Sequence, residues 1–333
     1  MIKVDNVVKY YGEHLALKGV SYTINKGEIV GFLGPNGAGK STMMRIITGY
    51  LPATSGYVYL DDYEVYDNPI ELKRRIGYMP ENVSLYTEMT VTDYLKFCAK
   101  LKGVARKKVK SAVENTIEIT GLTKYKDRII GHLSKGYRQR TGIAQAIIHD
   151  PEVLILDEPT SGLDPNQLIE VRSLIKSLGG SRTVILSTHI LSEVEDTCER
   201  ALIIDSGELI AEDTIEGLKM AMDREILGGN IELKVSDRQD DALLCVREVN
   251  GVIQAETDNF GTIIIECERG NDSRADIVKH LVNNSFDVLE IKSKERSLEE
   301  VFIYFTDKKK NQDFDKSKYI KDEGIKTNTS EEE

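Results

Sequence analysis

The sequence has 333 residues, 40% hydrophobic and 30% charged, with a formal net charge of −11, the profile of an ordinary globular chain long enough for about two domains. The negative balance argues against a broad nucleic-acid-binding face, so no nucleic-acid partner is expected, though a local basic patch stays open. No apolar run approaches the ~18 residues that cross a bilayer. The N-terminal "MIKVDNVVKYYGEH" has no continuous apolar core of signal-peptide length, and the four cysteines, Cys98, Cys198, Cys245 and Cys267, read as packed free thiols without metal-ligand spacing.

Through roughly the first 220 residues, short β-branched runs alternate with helical stretches, which predicts an α/β domain over 1–222. "EIVGFLG" (28–34), "VLILD" (153–157), "TVILSTH" (183–189) and "RALIIDSGELI" (200–210) are apolar and bounded by Gly or Pro, as buried strands are. Between them, about 85–150 differs. "VTDYLKFCAKLKGV" and "KKVKSAVENTIEITGL" carry amphipathic helical patterns, so this stretch reads as a helical insertion. From 230 the pattern restarts as strand-helix-strand-strand-helix-strand, the ferredoxin-like order of a small α+β module, with "SLEEVFIYFT" (297–306) as a closing helix for a second domain over 230–306. The charged 307–333 has too few apolar residues to fold alone and is expected to be a disordered tail.

The chemistry begins at "GPNGAGKST", which comprises Gly34, Pro35, Asn36, Gly37, Ala38, Gly39, Lys40, Ser41 and Thr42. It fits G-x-x-x-x-G-K-[ST] between a predicted strand and a predicted helix. Glycines let backbone N–H groups close on phosphate oxygens, and a helix N-terminus favours the negative charge. Lys40 is then placed to reach the β/γ-phosphates of a nucleotide and Ser41 to ligate Mg²⁺. "VLILDEP" adds a carboxylate pair at a strand end, where open α/β sheets bind ligands. Asp157 would hold Mg²⁺ through water, and Glu158 would orient or deprotonate an attacking water, unless the pair merely caps a turn. His189, at the end of "TVILSTH", is a lone histidine that either contacts a γ-phosphate or is structural. In "HLSKGYRQR" (132–140), Ser134 and Gly136 open a helix. They form either a plain N-cap or a set of free N–H groups for an anion.

These elements describe a P-loop NTPase and leave many families open. Their ordered set, "GPNGAGKST", "LSKGYRQR", "VLILDEP", "SGLD" (161–164) and His189, resembles the ATPase subunits of ABC transporters over about 1–220. Within that family the chain is most similar to bacterial exporter-type ATPases, including those of the gliding-motility and multidrug groups. The resemblance implies a P-loop ABC-type ATPase domain that binds and hydrolyses ATP with Mg²⁺. Two such subunits would close head to tail on two ATP molecules and power a separate membrane permease, docked on the helical insertion, from the cytoplasmic face of the membrane. It implies that Tyr11, in "KYYGE", stacks on adenine and that Asp164 lies in the loop joining the two nucleotide sites. His189 would sense the γ-phosphate. Ser134 and Gly136 would face ATP held by the other subunit.

Two departures stand out. The signature usually reads Leu-Ser-Gly-Gly-Gln, and here Lys135 and Tyr137 replace a glycine and the glutamine. In "IGYMPEN", Glu81 stands where the family commonly has glutamine; it keeps an oxygen for Mg²⁺ or lytic water and loses the amide donor. Two other functions would keep the motifs: a soluble ABC-type ATPase acting on ribosomes or DNA, and a nucleotide-dependent regulator that does not hydrolyse. A single cassette without a long coiled-coil insertion speaks against the first, and the presence of both Glu158 and His189 against the second.

Overall fold

The computed structural model describes residues 1–225, 230–258, 260–268, 273–293 and 296–310. It divides into two compact units, Met1–Ile215 together with the segment from Phe305, and Glu216–Tyr304.

The first unit opens with strands β1 (Ile2–Tyr11) and β2 (His14–Ile24), a hairpin turning at Gly12, where φ is 58°. Strand β3 (Ile29–Leu33) leads through the glycine-rich loop into helix α1 (Lys40–Ile47). Next come β4 (Ser55–Leu60), β5 (Tyr63–Glu64), α2 (Pro69–Arg75) and β6 (Ile76–Met79). Helices α3 (Val91–Leu101), α4 (Val109–Ile119) and α5 (Lys135–Ile147) form the helical layer. Alternating strands and helices follow: β7 (Val153–Asp157), α6 (Pro165–Leu178), β8 (Thr183–Thr188), α7 (Leu191–Thr197), β9 (Arg200–Asp205) and β10 (Glu208–Thr214).

Two sheets result. One is antiparallel, in the order β2-β1-β4-β5, and was not legible as a separate layer from composition. The other runs β10-β9-β3-β8-β7-β6, parallel except for β10 at its edge. Every residue of β3, β7 and β8 is buried, as their continuous apolar runs require of parallel strands covered on both faces. Helix α1 lies between the sheets. Its Met43, Met44, Ile46 and Ile47 are all buried in one core with side chains of both sheets, so packing rather than propensity holds this short helix. On the opposite face α7 crosses β3 at Gly31, where a Cβ would lie 2.4 Å from Val194 Cγ1. The helical layer has its own core, in which Leu95, Val113, Ile117 and Ala144 meet. All four cysteines are free and buried.

The second unit contains α8 (Ile215–Glu225), of which only Ile215 falls in the first unit. Strand β11 (Asn230–Val235), α9 (Gln239–Arg247), β12 (Val252–Thr257), β13 (Ile263–Cys267), α10 (Arg274–Asn283) and β14 (Val288–Ser293) follow. The sheet order β12-β13-β11-β14, antiparallel throughout, is the ferredoxin-like arrangement. Ile231, Leu233, Ile263, Ile265, Ile277 and Leu281 fill its core.

Two sequence expectations are corrected. The run 200–210 is not one strand. Ser206 and Gly207, at φ 50° and 80°, form a two-residue turn of the kind that closes hairpins, and β10 folds back on β9. The closing helix α11 (Leu298–Lys310) also runs four residues past 306, into the stretch expected to be a disordered tail; 311–333 lies outside the described residues. The extension has a partner. Lys309 Nζ donates to the Asp205 carbonyl at 2.6 Å and pairs with the carboxylates of Asp205 and Glu208 at 3.3 and 3.6 Å. It thus braces a turn whose Gly207 N–H donates to Ala38 O at 3.0 Å, in the glycine-rich loop. Lys309→Ala should cost about 1 kcal/mol, the scale of a half-buried hydrogen bond. In thermal unfolding of the full chain that corresponds to a midpoint lower by about 2–4 °C, and an unchanged midpoint would show that the brace contributes nothing.

Candidate functional site

Four segments that leave the C-terminal ends of β3, β6, β7 and β8 meet around a cavity of about 540 Å³. Asn36, Gly37, Gly39, Lys40, Ser41 and Thr42 line it from the loop after β3, and Glu81, Glu158 and His189 from the loops after β6, β7 and β8. Tyr11 closes the mouth from the β1–β2 hairpin, 43% exposed, with Lys9 Nζ 5.5 Å from its ring centre. His14 and Ala16, which no sequence motif singles out, also line the cavity, as does Ser161 at the start of the "SGLD" run.

The loop is built to leave donors free. Gly39, at φ 107°, precedes α1 without a side-chain cap, and the first turn of a helix has no internal acceptors for its N–H groups. Among the described residues no backbone acceptor takes up the N–H groups of Gly37, Gly39, Lys40, Ser41 or Thr42. Gly34 is packed so tightly that a Cβ would lie 2.4 Å from Ile204 O, whereas Gly37, at φ 81°, faces open space. Gly34, Pro35 and Ala38 do not line the cavity; they shape the loop behind it. The Gly34 and Pro35 carbonyls accept from Lys40 Nζ at 2.7 and 3.3 Å.

Charge converges on Lys40. The residue is 6% exposed, and its ammonium lies 3.8 Å from Glu158 Oε1. Burial pulls its pKa down, and the carboxylates of Glu158, Asp157 and Glu81 oppose that shift. Glu158 Oε2 is 2.8 Å from His189 Nδ1, so its two oxygens face the lysine and the histidine. Glu158 itself sits at φ 51°, a conformation costing of order 1–3 kcal/mol in a residue with a side chain. Its N–H donates to Ser187 O at 2.8 Å, which fixes it there. Asp157 lies one step deeper, 1% exposed, and accepts from Ser187 Oγ at 2.7 Å.

Among the described residues no three His, Cys, Asp or Glu side chains stand at metal-ligand spacing. Mg²⁺ keeps several waters and takes only one or two protein carboxylates beside phosphate oxygens. Ser41 at the cavity, with Asp157 and Glu81 among the carboxylates around Lys40, fits such a partial ligand set.

Ser134, Gly136 and Asp164 do not line this cavity. Ser134 is exposed at the N-cap position of α5, and its side chain makes no capping hydrogen bond. Gly136 is buried against α6, where a Cβ would lie 2.1 Å from Gln167 Oε1. Asp164 caps α6, accepting from Gln167 N at 3.0 Å. Gly136 and Asp164 are therefore neighbours through Gln167, and Ser134 stands two residues before Gly136.

The ABC transporter family model matches residues 17–161. The chain is 36% identical over 305 residues to the bacitracin transport ATP-binding protein BcrA of Bacillus licheniformis, covering 91% of this chain and 96% of that protein. It is 33% identical over 312 residues to the linearmycin resistance ATP-binding protein LnrL of Bacillus subtilis (strain 168), covering 92% and 98%. Among solved structures it is similar to the dimeric ATP-binding cassette MJ0796 in a post-hydrolysis state bound to ADP and Pi, with a TM-score of 0.59, 27% identity, and 65% of this chain covering 99% of that one. With relatives of this identity matched along nearly their whole length, the chain belongs to the ATP-binding proteins of ABC transporters, which are ATPases.

Proposed function

We propose that the cavity binds Mg–ATP and that the subunit drives a separate membrane permease, exporting its substrate, from a peripheral position on the cytoplasmic face of the membrane. The convergence of Lys40, Glu158 and His189 beside a loop of unbonded N–H groups carries this proposal. Phosphoryl transfer to water needs positioning and charge neutralisation. The N–H groups of Gly37 and of Gly39 to Thr42 would bind phosphate oxygens. Lys40 would exchange its neutral carbonyl partners for them, a charge-assisted bond that is stronger than the one given up. Tyr11 would cover the base at the mouth. Ser41, Asp157 and Glu81 would hold Mg²⁺, which neutralises charge on the β- and γ-phosphates when bound. Glu158 would take the proton of the attacking water, its carboxylate oriented by His189 on one oxygen and Lys40 on the other.

The relatives named for bacitracin transport and linearmycin resistance support export. No helix among the described residues is long and apolar enough to cross a membrane, so a permease on another chain would supply the path. The layer of α3, α4 and α5 is its proposed docking surface. Ser134 and Gly136 would act across a homodimer. The exposed Ser134 hydroxyl and the uncapped start of α5 support a ligand from outside the chain.

Glu158→Gln should leave ATP binding intact and lower turnover by at least ~10²-fold, the scale of a lost positioned base; wild-type hydrolysis by this variant would remove the role. The same variant should form an ATP-dependent dimer on a sizing column, because slow hydrolysis preserves the bridging nucleotide. Adding Ser134→Asp sets a like charge against that phosphate and should abolish the dimer while each monomer still binds ATP. Ser134 is the better probe than Gly136, whose substitution would meet Gln167 within its own chain. Dimers that persist with Ser134→Asp would confine this helix start to a structural role.

A further inference from the structure

Behind the Glu158–His189 pair lies a carboxylate to which the proposed hydrolytic roles give no task. Glu193, in the first turn of α7, is 1% exposed. Its Oε1 accepts from Thr160 Oγ1, and its Oε2 accepts from Thr188 Oγ1 at 3.0 Å. Thr188 Oγ1 accepts in turn from Ile190 N at 3.1 Å. The nearby Arg172 directs its guanidinium to Asp196 and Ser192, at 2.6 and 3.1 Å.

A buried carboxylate is costly unless its oxygens are satisfied, and replacing such a group by an apolar side chain of similar size is often neutral or stabilising. Burial does push the Glu193 pKa up, against the two threonine hydrogen bonds. What the carboxylate holds lies next to the reacting side chains in sequence. Thr160 is two residues after Glu158, and Thr188 is one residue before His189. These segments leave neighbouring strands β7 and β8, paired with Asp157 opposite Ser187. Beyond that pair the sheet ladder ends, and among the described residues the side-chain hydrogen bonds that tie the Glu158–Ser161 segment to the Thr188–Ile190 segment are the Glu193 bridge and the Glu158–His189 bond.

We propose that Glu193 is a positioning residue for ATP hydrolysis. By gripping Thr160 and Thr188 on its two oxygens, it sets the spacing at which Glu158 and His189 meet at 2.8 Å and holds Glu158 in its left-handed conformation. This rests on the role proposed above for Glu158.

The test is single-turnover hydrolysis at saturating Mg–ATP by the full-length chain, together with ATP affinity. Glu193→Gln keeps the shape and one acceptor, and should lower the hydrolysis rate constant about 10-fold with ATP affinity unchanged, the signature of an interaction felt only in the chemical step. Thr160→Val and Thr188→Val, which remove one grip each, should each lower it by a smaller factor; they carry the test if Glu193→Gln does not fold. In a Glu158→Gln background, Glu193→Gln should have almost no further effect, because the residue acts through the one already removed. A wild-type rate for Glu193→Gln would overturn the proposal, as would wild-type rates for both valine variants. Equal fold-losses with and without Glu158, or a loss of ATP affinity in step with the rate, would reduce Glu193 to a structural residue. Wild-type turnover by Glu158→Gln would instead overturn the assignment of the base, which separates that failure from one confined to Glu193.

Discussion

The parallel register of β3, β8 and β7 is the constraint on which the site depends. Leu33 lies opposite Thr188, and Ser187 opposite Asp157, so the chain leaves three neighbouring strands at the same level. Beside them β6 is paired up to Met79 opposite Leu156, which delivers Glu81 two residues later. A shift of one residue in any of these pairings would invert every side chain of the strand. On β3 such a slip would also set a side chain where Gly31 admits Val194, with a Cβ 2.4 Å from Val194 Cγ1. Apolar packing therefore fixes, to within one residue, where Lys40, Glu158 and His189 begin.

That rigidity supports features that are unfavourable taken alone. Lys40 is a buried lysine at the first position of α1, and Glu158 is a carboxylate held at positive φ. Each partly satisfies the other across 3.8 Å, while His189 and the Ser187 carbonyl hold Glu158 from the other side. Charges arranged in advance cost no reorganisation when the reaction occurs, which is how an active site gains from electrostatics. The strain at Glu158 belongs to the same design, since a relaxed backbone there would swing the carboxylate off the line between Lys40 and His189.

Much of this was legible because local rules sufficed. The glycine-rich loop, the carboxylate pair and the histidine each sit at the end of a short apolar strand, and strand ends are where α/β sheets bind ligands. The strand-helix order of the second unit was equally local. What could not be read depends on contacts between distant segments. Lys309 meets Asp205 across 104 positions, and a run of lysines in a charged stretch gives no sign of it. The turn at Ser206–Gly207 sits inside an apolar run that scans as one strand, with the Ser-Gly turn dipeptide as its local signal. Glu193 sits in a polar helix where an acidic residue ordinarily faces water; only the packing of α7 against β3 at Gly31 turns it inward. His14 reaches the cavity because β1 and β2 pair, with His14 opposite Tyr11.

The two unusual residues of the helix opening α5 find their explanation within the chain. Tyr137, in place of the family's glutamine, lies with its ring 3.9 Å from that of Tyr125, and Arg140 sits 5.6 Å from the Tyr137 ring while also pairing with Glu170. The position is thereby joined to the core of the helical layer, where an amide would have offered hydrogen bonds to solvent or to a partner. Lys135, in place of a glycine, extends along the loop before Asp164, so that a Cβ on Gly162 would lie 2.2 Å from its Nζ. Both substitutions draw the start of α5 toward its own chain, Tyr137 from the side of the helical layer and Lys135 from the side of the 161–164 loop. Ser134, between them and the preceding loop, is left exposed with its hydroxyl uncommitted to the helix. Ser134 and the first-turn N–H groups are accordingly what this helix start leaves for the cross-dimer contact proposed above, and the residues around them hold that turn in place.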